Sequence, residues 1–302
     1  MGVYFSVADF YPHNRSSVGQ LQLLLLCKES HCKYFGNFKV FGQLVNDLKD
    51  LESDGIKIAP GKTIKAAVVC IAGDNHSSHY IGGFLKSFSA AYSCCYCLAK
   101  REDIIANSWN CCAELRNVDN YSRSVDYLKH NPTESHVCGI KRDSVFNQLA
   151  SFHVTSGLPP CLGHDLFEGV ISYDLILCLR YFVVQQWFSY DMLNNRIHKF
   201  PFASADAANK PADVPSTGDR LGGHAIQNWT LLRFLGLIIG DRVVNKDDAV
   251  WQLVLLMIKM TSLICSARLS SADVAYMQIV IEEYLEVRHE LFPNVSLGPK
   301  HH

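Results

Sequence analysis

At 302 residues, 48% of them hydrophobic, the chain can hold one large domain, or a domain with a big insertion, around a sizeable core. Lys and Arg total 28 against 29 Asp and Glu, and a net charge of -1 excludes a global basic footprint for nucleic acid, leaving any DNA contact to local patches. Twelve cysteines with no secretory signal fit an intracellular, reducing compartment with metal-bound or free thiols better than a disulfide framework, and the apolar runs 21–27 and 251–265 are too short to span a bilayer.

The opening GVYFSVADF has strand composition and is broken by Pro12, Asn14 and Arg15. Ser16 or Ser17 then reads as the cap of a helix through QLQLLLLCKES. Asn37 reads as the cap of a second helix, with Phe38, Phe41, Leu44, Val45, Leu48 and Leu51 on one apolar stripe and Gly55 as its stop. A short strand at 56–58 turns at Pro60-Gly61 into the stretch 63–97, around which the rest of the chain is organised. There a β-branched run (Ile64, Ala66, Val68, Val69, Ile71) predicts a buried strand that ends at Gly73-Asp74-Asn75. A helix expected over about 77–92 delivers Cys94 and Cys97. Further helices are expected over 121–130, 143–152, 165–187, 223–239, 248–267 and 271–291, with a polar loop over 203–218. Strands before residue 75 and helices after it predict an α/β core followed or interrupted by a helical domain.

Three features carry chemistry. Asp74 stands at a strand tip, where a carboxylate serves either as a Mg²⁺ ligand or simply as a helix N-cap. His76 and His79 beside it are either metal ligands or satisfied histidines. Cys94-x-x-Cys97 has the spacing of two thiolates on one zinc, which needs four ligands. The others are sought among Cys111, Cys112, His136, Cys138, Cys161 with His164, and His301-His302, the alternative being a pair of buried free thiols. In LPPCLGHDLFEGV, Pro159-Pro160 enforces an extended entry, and Cys161-x-x-His164 leads into a helix opened by Asp165 and Glu168.

In order and spacing, VYFSV, LVNDLKDLESDGI, GDN with GGFLKSFS and the C-x-x-C, LPPCLGHDLFEGV, LGGHAIQNWTLLRFLGLIIGDRV, LFPN and PKHH resemble the catalytic domain of eukaryotic DDE-type transposases, nearest the CACTA-like group and its animal relatives. The resemblance covers nearly the whole chain. It implies a partial RNase H-like core over 1–93 and a large, all-helical insertion domain over 94–302 carrying a zinc-knuckle-like C-x-x-C. It further implies DNA as partner, a nuclear location, a possible homo-oligomer and no membrane. Two Mg²⁺ ions held by three acids, about 3.5 to 4 Å apart, perform the family's strand cleavage and transfer. Asp74 matches the second acid, and Cys161 and His164 fit the [C/D]-x-x-H motif that follows it. In the family the first Asp precedes the position of Gly2 and the Glu follows PKHH, so one acid of three is expected within these residues. The resemblance also pairs Cys94 and Cys97 with His301 or His302 around a structural Zn²⁺. Three readings follow: a transposase-derived protein inactive as this fragment, a zinc-stabilised protein- or DNA-binding module, or a truncated gene model without independent function.

Overall fold

A computed structural model describes residues 1–15, 17–107 and 113–302 as a mixed α/β protein, mostly helical, with two small antiparallel sheets. The chain divides into two units, the first formed by residues 1–98 with 113–160 and the second, among the described residues, by 99–107 with 161–302.

In the first unit, β1 (Gly2–Phe5) pairs antiparallel with β2 (Gln22–Leu26), placing Gly2 opposite Leu26 and Val3 opposite Leu25. The expected helix over the leucine run is therefore a strand; Ser16, its other suggested cap, lies outside the described residues. A run of leucines has no period that separates helix from strand, and here cross-strand pairing decides, because Val3 and Leu25 both pack on the core of this unit. The hairpin leaves Tyr4, Phe5, Leu23, Leu24 and Leu26 exposed.

The helix α1 (Glu29–Phe35) is followed across Gly36 by α2 (Asn37–Ser53), so Asn37 is the first helical residue rather than the cap. Phe41 and Val45 of its stripe are fully buried and Leu44 and Leu48 pack beside them, whereas Phe38 faces outward. Gly55 stops the chain as expected, at φ +75°. The strands β3 (Ile56–Ala59) and β4 (Lys62–Ile64) then make an exposed hairpin.

The buried strand expected to run on to Ile71 is not formed. Beyond Ile64 the backbone is bonded through Ala66 N to Leu51 O and Ile71 N to Gly157 O, and it joins no ladder. Val68 and Ile71 pack on the core while Val69 and Cys70 are exposed. The segment has the apolar docking of a strand, but no neighbour exchanges the alternating N–H and C=O bonds that define one.

The next helix, α3 (Asn75–Ile81), ends well before the expected residue 92. Gly83 ends it at φ +71°, and a Cβ there would stand 2.1 Å from the carbonyl of Arg142. Cys94 and Cys97 therefore lie in a loop rather than at a helix end. Asn117 and Asn120 form a reciprocal capping box for α4 (Val118–His130). The expected helix over 143–152 reduces to one 3-10 turn, Val145–Gln148. Side chains there satisfy the backbone instead: Asn147 Oδ1 accepts from Val154 N, and Glu52 accepts from Ala150 N, so Val145, Phe146, Leu149 and Phe152 reach the core without a helix.

The second unit contains α5 (Ile171–Val184), α6 (Tyr190–Lys199), α7 (Ala225–Ile239), α8 (Ala249–Ile264) and α9 (Ser271–Leu291); all but α6 fall within the expected helices, whereas α6 and the short helix Arg101–Asn107 are not among them. Asp248 caps α8, and Ser270 with Asp273 makes a capping box on α9. The polar loop holds one short helix, Ser204–Ala208. Ile171, Leu175, Ile176, Leu179 and Phe182 are fully buried, each contributing about 1.5–3 kcal/mol relative to exposure. Among the described residues no helix is long and apolar enough to cross a membrane.

Candidate metal centre and motif residues

The loop after α3 is held to residues 114–116 by backbone bonds. Leu98 N donates to Glu114 O at 2.8 Å, Arg116 N donates to Tyr96 O at 2.9 Å, and Cys97 bridges antiparallel to Leu115. Within this frame Tyr96 N–H points at Cys94 Sγ, 3.3 Å away. This bond orients the Cys94 sulfur, as outer partners orient metal ligands.

Arg116 stands behind the loop, 5% exposed. Its Nε donates to Cys94 O at 3.0 Å, its Nη2 donates to Cys138 O at 2.7 Å, and its plane lies over Phe84. Nη1 is buried with no hydrogen-bond partner. Burial pulls the guanidinium pKa down, and the charges of Cys94, Cys95, Cys138 and Cys97 oppose that. A buried guanidinium stays protonated, and here the carbonyls of Cys94 and Cys138 accept two of its N–H groups. Burial and then the charge of Cys94 push the Cys95 thiol up to about 12. Cys138 holds the left-handed region at φ 48°, which is uncommon for a residue with a Cβ and turns its carbonyl to Arg116.

His79 is a satisfied core histidine. Its Nδ1 lies 2.6 Å from Leu85 O and must donate to it, its ring packs edge-on against Phe84 and Phe88, and burial lowers its pKa so that it is neutral near pH 7. His76 is exposed beside Phe88. His136 has a buried Nδ1 without a hydrogen-bond partner. Cys111 and Cys112 lie outside the described residues.

Asp74 is the N-cap of α3, its Oδ1 accepting from Ser77 N at 2.7 Å. The capping role anticipated for a carboxylate at this place is thus filled.

In the second unit LPPCLGHDLFEGV forms a π-helical segment, Gly163–Val170, running straight into α5. Such segments are rare and often mark functional sites. Cys161 Sγ and His164 Nδ1 are 3.0 Å apart, so this pair is engaged with itself. Glu168 Oε1 accepts from Ala225 N at 3.0 Å, placing an acid on the first turn of α7, and Asn228 Nδ2 donates to Phe167 O. Lys300 Nζ donates to His164 O. LPPCLGHDLFEGV, LGGHAIQNW and PKHH therefore meet around one segment.

The two terminal histidines differ. His301 accepts Gly298 N–H on Nδ1 at 3.1 Å and so presents Nε2–H to Asp174 Oδ2 at 3.0 Å. Asp174, 1% exposed, also takes Arg288 Nε at 3.1 Å and the Tyr284 hydroxyl. Burial alone would raise its carboxyl pKa, but His301, Arg288 and Tyr284 hold it below the usual range. Sequence reasoning missed this network, although an acid inside ISYDLILCL signals that a buried partner is needed. It also missed Arg116, for which no local pattern exists. In the first unit Cys94, half-buried, and Cys97, buried, are the sulfur donors that the loop after α3 presents.

Neither a protein-family model nor a curated protein matches the chain.

Proposed function

We propose that this chain is a transposase-derived protein of the DDE type, whose 302 residues retain a zinc-stabilised scaffold and do not themselves cleave DNA. The observation that carries the reading is the prepared thiol pair: Cys94 with an N–H on its sulfur, Cys97 locked by a backbone bridge, and the buried Arg116 cation behind them. Zinc suits this set, because two thiolates and an imidazole are its usual soft and borderline donors. Cys94 and Cys97 hold the ion, with a terminal histidine as the further ligand that the resemblance implies, and His301 is committed to Asp174. When bound, zinc supplies structural cross-linking.

Residues 1–93, with hairpin β1–β2, α2 and the extended segment that ends at Asp74, read as part of an RNase H-like core, and residues 94–302 read as the helical insertion domain. Asp74 is the one acid of three that the resemblance matches here, and its carboxylate caps α3. These residues do not by themselves fit a two-metal centre, so Mg²⁺ belongs to the parent activity. DNA binding, a nuclear location and homo-oligomer formation accompany this reading.

Two measurements test it. Co²⁺ added to the full chain is expected to give thiolate charge-transfer absorption that Cys97→Ser abolishes. Supercoiled plasmid in Mg²⁺ or Mn²⁺ is expected to stay intact while a gel shift reports DNA binding. Absence of the charge-transfer band together with Asp74-dependent nicking overturns the proposal.

A further inference from the structure

Cys27 and Cys32 stand with their sulfurs 3.5 Å apart, where the end of β2 turns into α1. Cys27 is half-buried and Cys32 is buried. The turn is held in place independently of the thiols: Cys27 N donates to Met1 O at 3.0 Å, and His31 N donates to Lys28 O at 3.0 Å. Against the pair lies Tyr80 of α3, whose phenol is pushed up to about 12 by burial and by the charge of Cys32. Lys86 stands 4.4 Å over the Tyr80 ring and Arg142 5.2 Å from it. The thiols are thus in contact, one is reachable from solvent, and cations stand over the neighbouring ring.

We propose that Cys27 and Cys32 are a reversible disulfide site, oxidised by small anionic disulfides of the glutathione class. The Cys27 thiolate attacks one sulfur of the small disulfide, giving a mixed disulfide and releasing one thiolate. The Cys32 thiolate then attacks Cys27 Sγ, closing the intrachain bond and releasing the second small thiolate. The protons of Cys27 and Cys32 pass through solvent to the two leaving groups, so two protein thiols are oxidised and one disulfide is reduced to two thiols. Forming the bond takes the sulfurs from 3.5 Å to about 2.05 Å. Burial of Cys27 against Cys32 raises its thiol pKa, which makes the exchange faster as pH rises. The site is distinct from the Cys94 and Cys97 pair and does not depend on zinc there.

The test is incubation of the reduced full-length chain, zinc-saturated, with excess oxidised glutathione, followed by alkylation and peptide mapping. The expected result is loss of two alkylatable thiols, a cross-link joining the tryptic peptides on either side of Lys28, and recovery of both thiols in dithiothreitol. In Cys27→Ser, Cys32 is expected to remain alkylatable. Two free thiols at 27 and 32 under these conditions, or a cross-link of either one to a different cysteine, overturns the proposal.

Discussion

The Nε of Arg116 donates to the carbonyl of Cys94 at 3.0 Å, which holds a buried positive charge against the backbone of a candidate ligand. Such outer partners orient ligands and tune a metal, and losing one typically costs about 10–100-fold in affinity. Arg116→Met, which keeps most of the volume and removes the charge, is expected to weaken zinc by that factor in a chelator competition, with Arg116→Lys recovering part of it. Equal affinities in all three proteins would remove Arg116 from the account.

Asp74 is expected to matter for stability and not for chemistry. Replacing an N-cap Asp by Ala costs about 0.5–2 kcal/mol. Asp74→Ala should lower the denaturation midpoint accordingly and leave plasmid nicking at the blank level. Nicking by the native chain that disappears in the variant would show that Asp74 belongs to a working site.

The Asp174 network gives the second unit a pH dependence whose sign is fixed. The folded pKa of Asp174 lies below its unfolded value of about 3.9, so its contribution is fully present above that pH and is lost as pH falls through the folded pKa. Asp174→Asn leaves Arg288 buried without its counter-charge, and breaking a buried pair from one side costs about 3–5 kcal/mol. Chemical denaturation near neutral pH should therefore show a large loss in the variant and a weaker acid dependence than the native chain.

The hairpin β1–β2 exposes Tyr4, Phe5, Leu23, Leu24 and Leu26 in one short sheet. An open apolar sheet edge pairs with other chains. The apparent molar mass from light scattering is expected to rise with protein concentration, and Leu24→Lys is expected to suppress that rise without changing the circular dichroism. A native chain that stays monomeric at high concentration would show the edge to be harmless.

The helical second unit was legible because its signals are local: Asp248 and Ser270 cap where their residue types predict, and α9 spans 271–291 as its pattern indicates. The first unit was less so, for reasons of partnership. The leucines 23–26 became a strand only because Val3 and Leu25 face the same core, and Ile64 to Ile71 failed to become one for lack of a neighbouring ladder. Gly82 and Gly83 were present in the sequence as a stop for α3, yet the close approach of Arg142 O that makes Gly83 necessary is a long-range fact. At the candidate centre, the spacing of Cys94 and Cys97 was visible and the role of Arg116 was not, since it is created by a side-chain bond to a backbone carbonyl 22 residues away.

The most direct test of the central claim is metal content by elemental analysis of the full chain purified without added metal or chelator, compared with Cys97→Ser prepared in parallel. The account predicts close to one zinc per native chain and a large loss in the variant, with circular dichroism showing that both remain folded. Zinc-free native protein that binds none on titration, or equal zinc in both proteins, would contradict it.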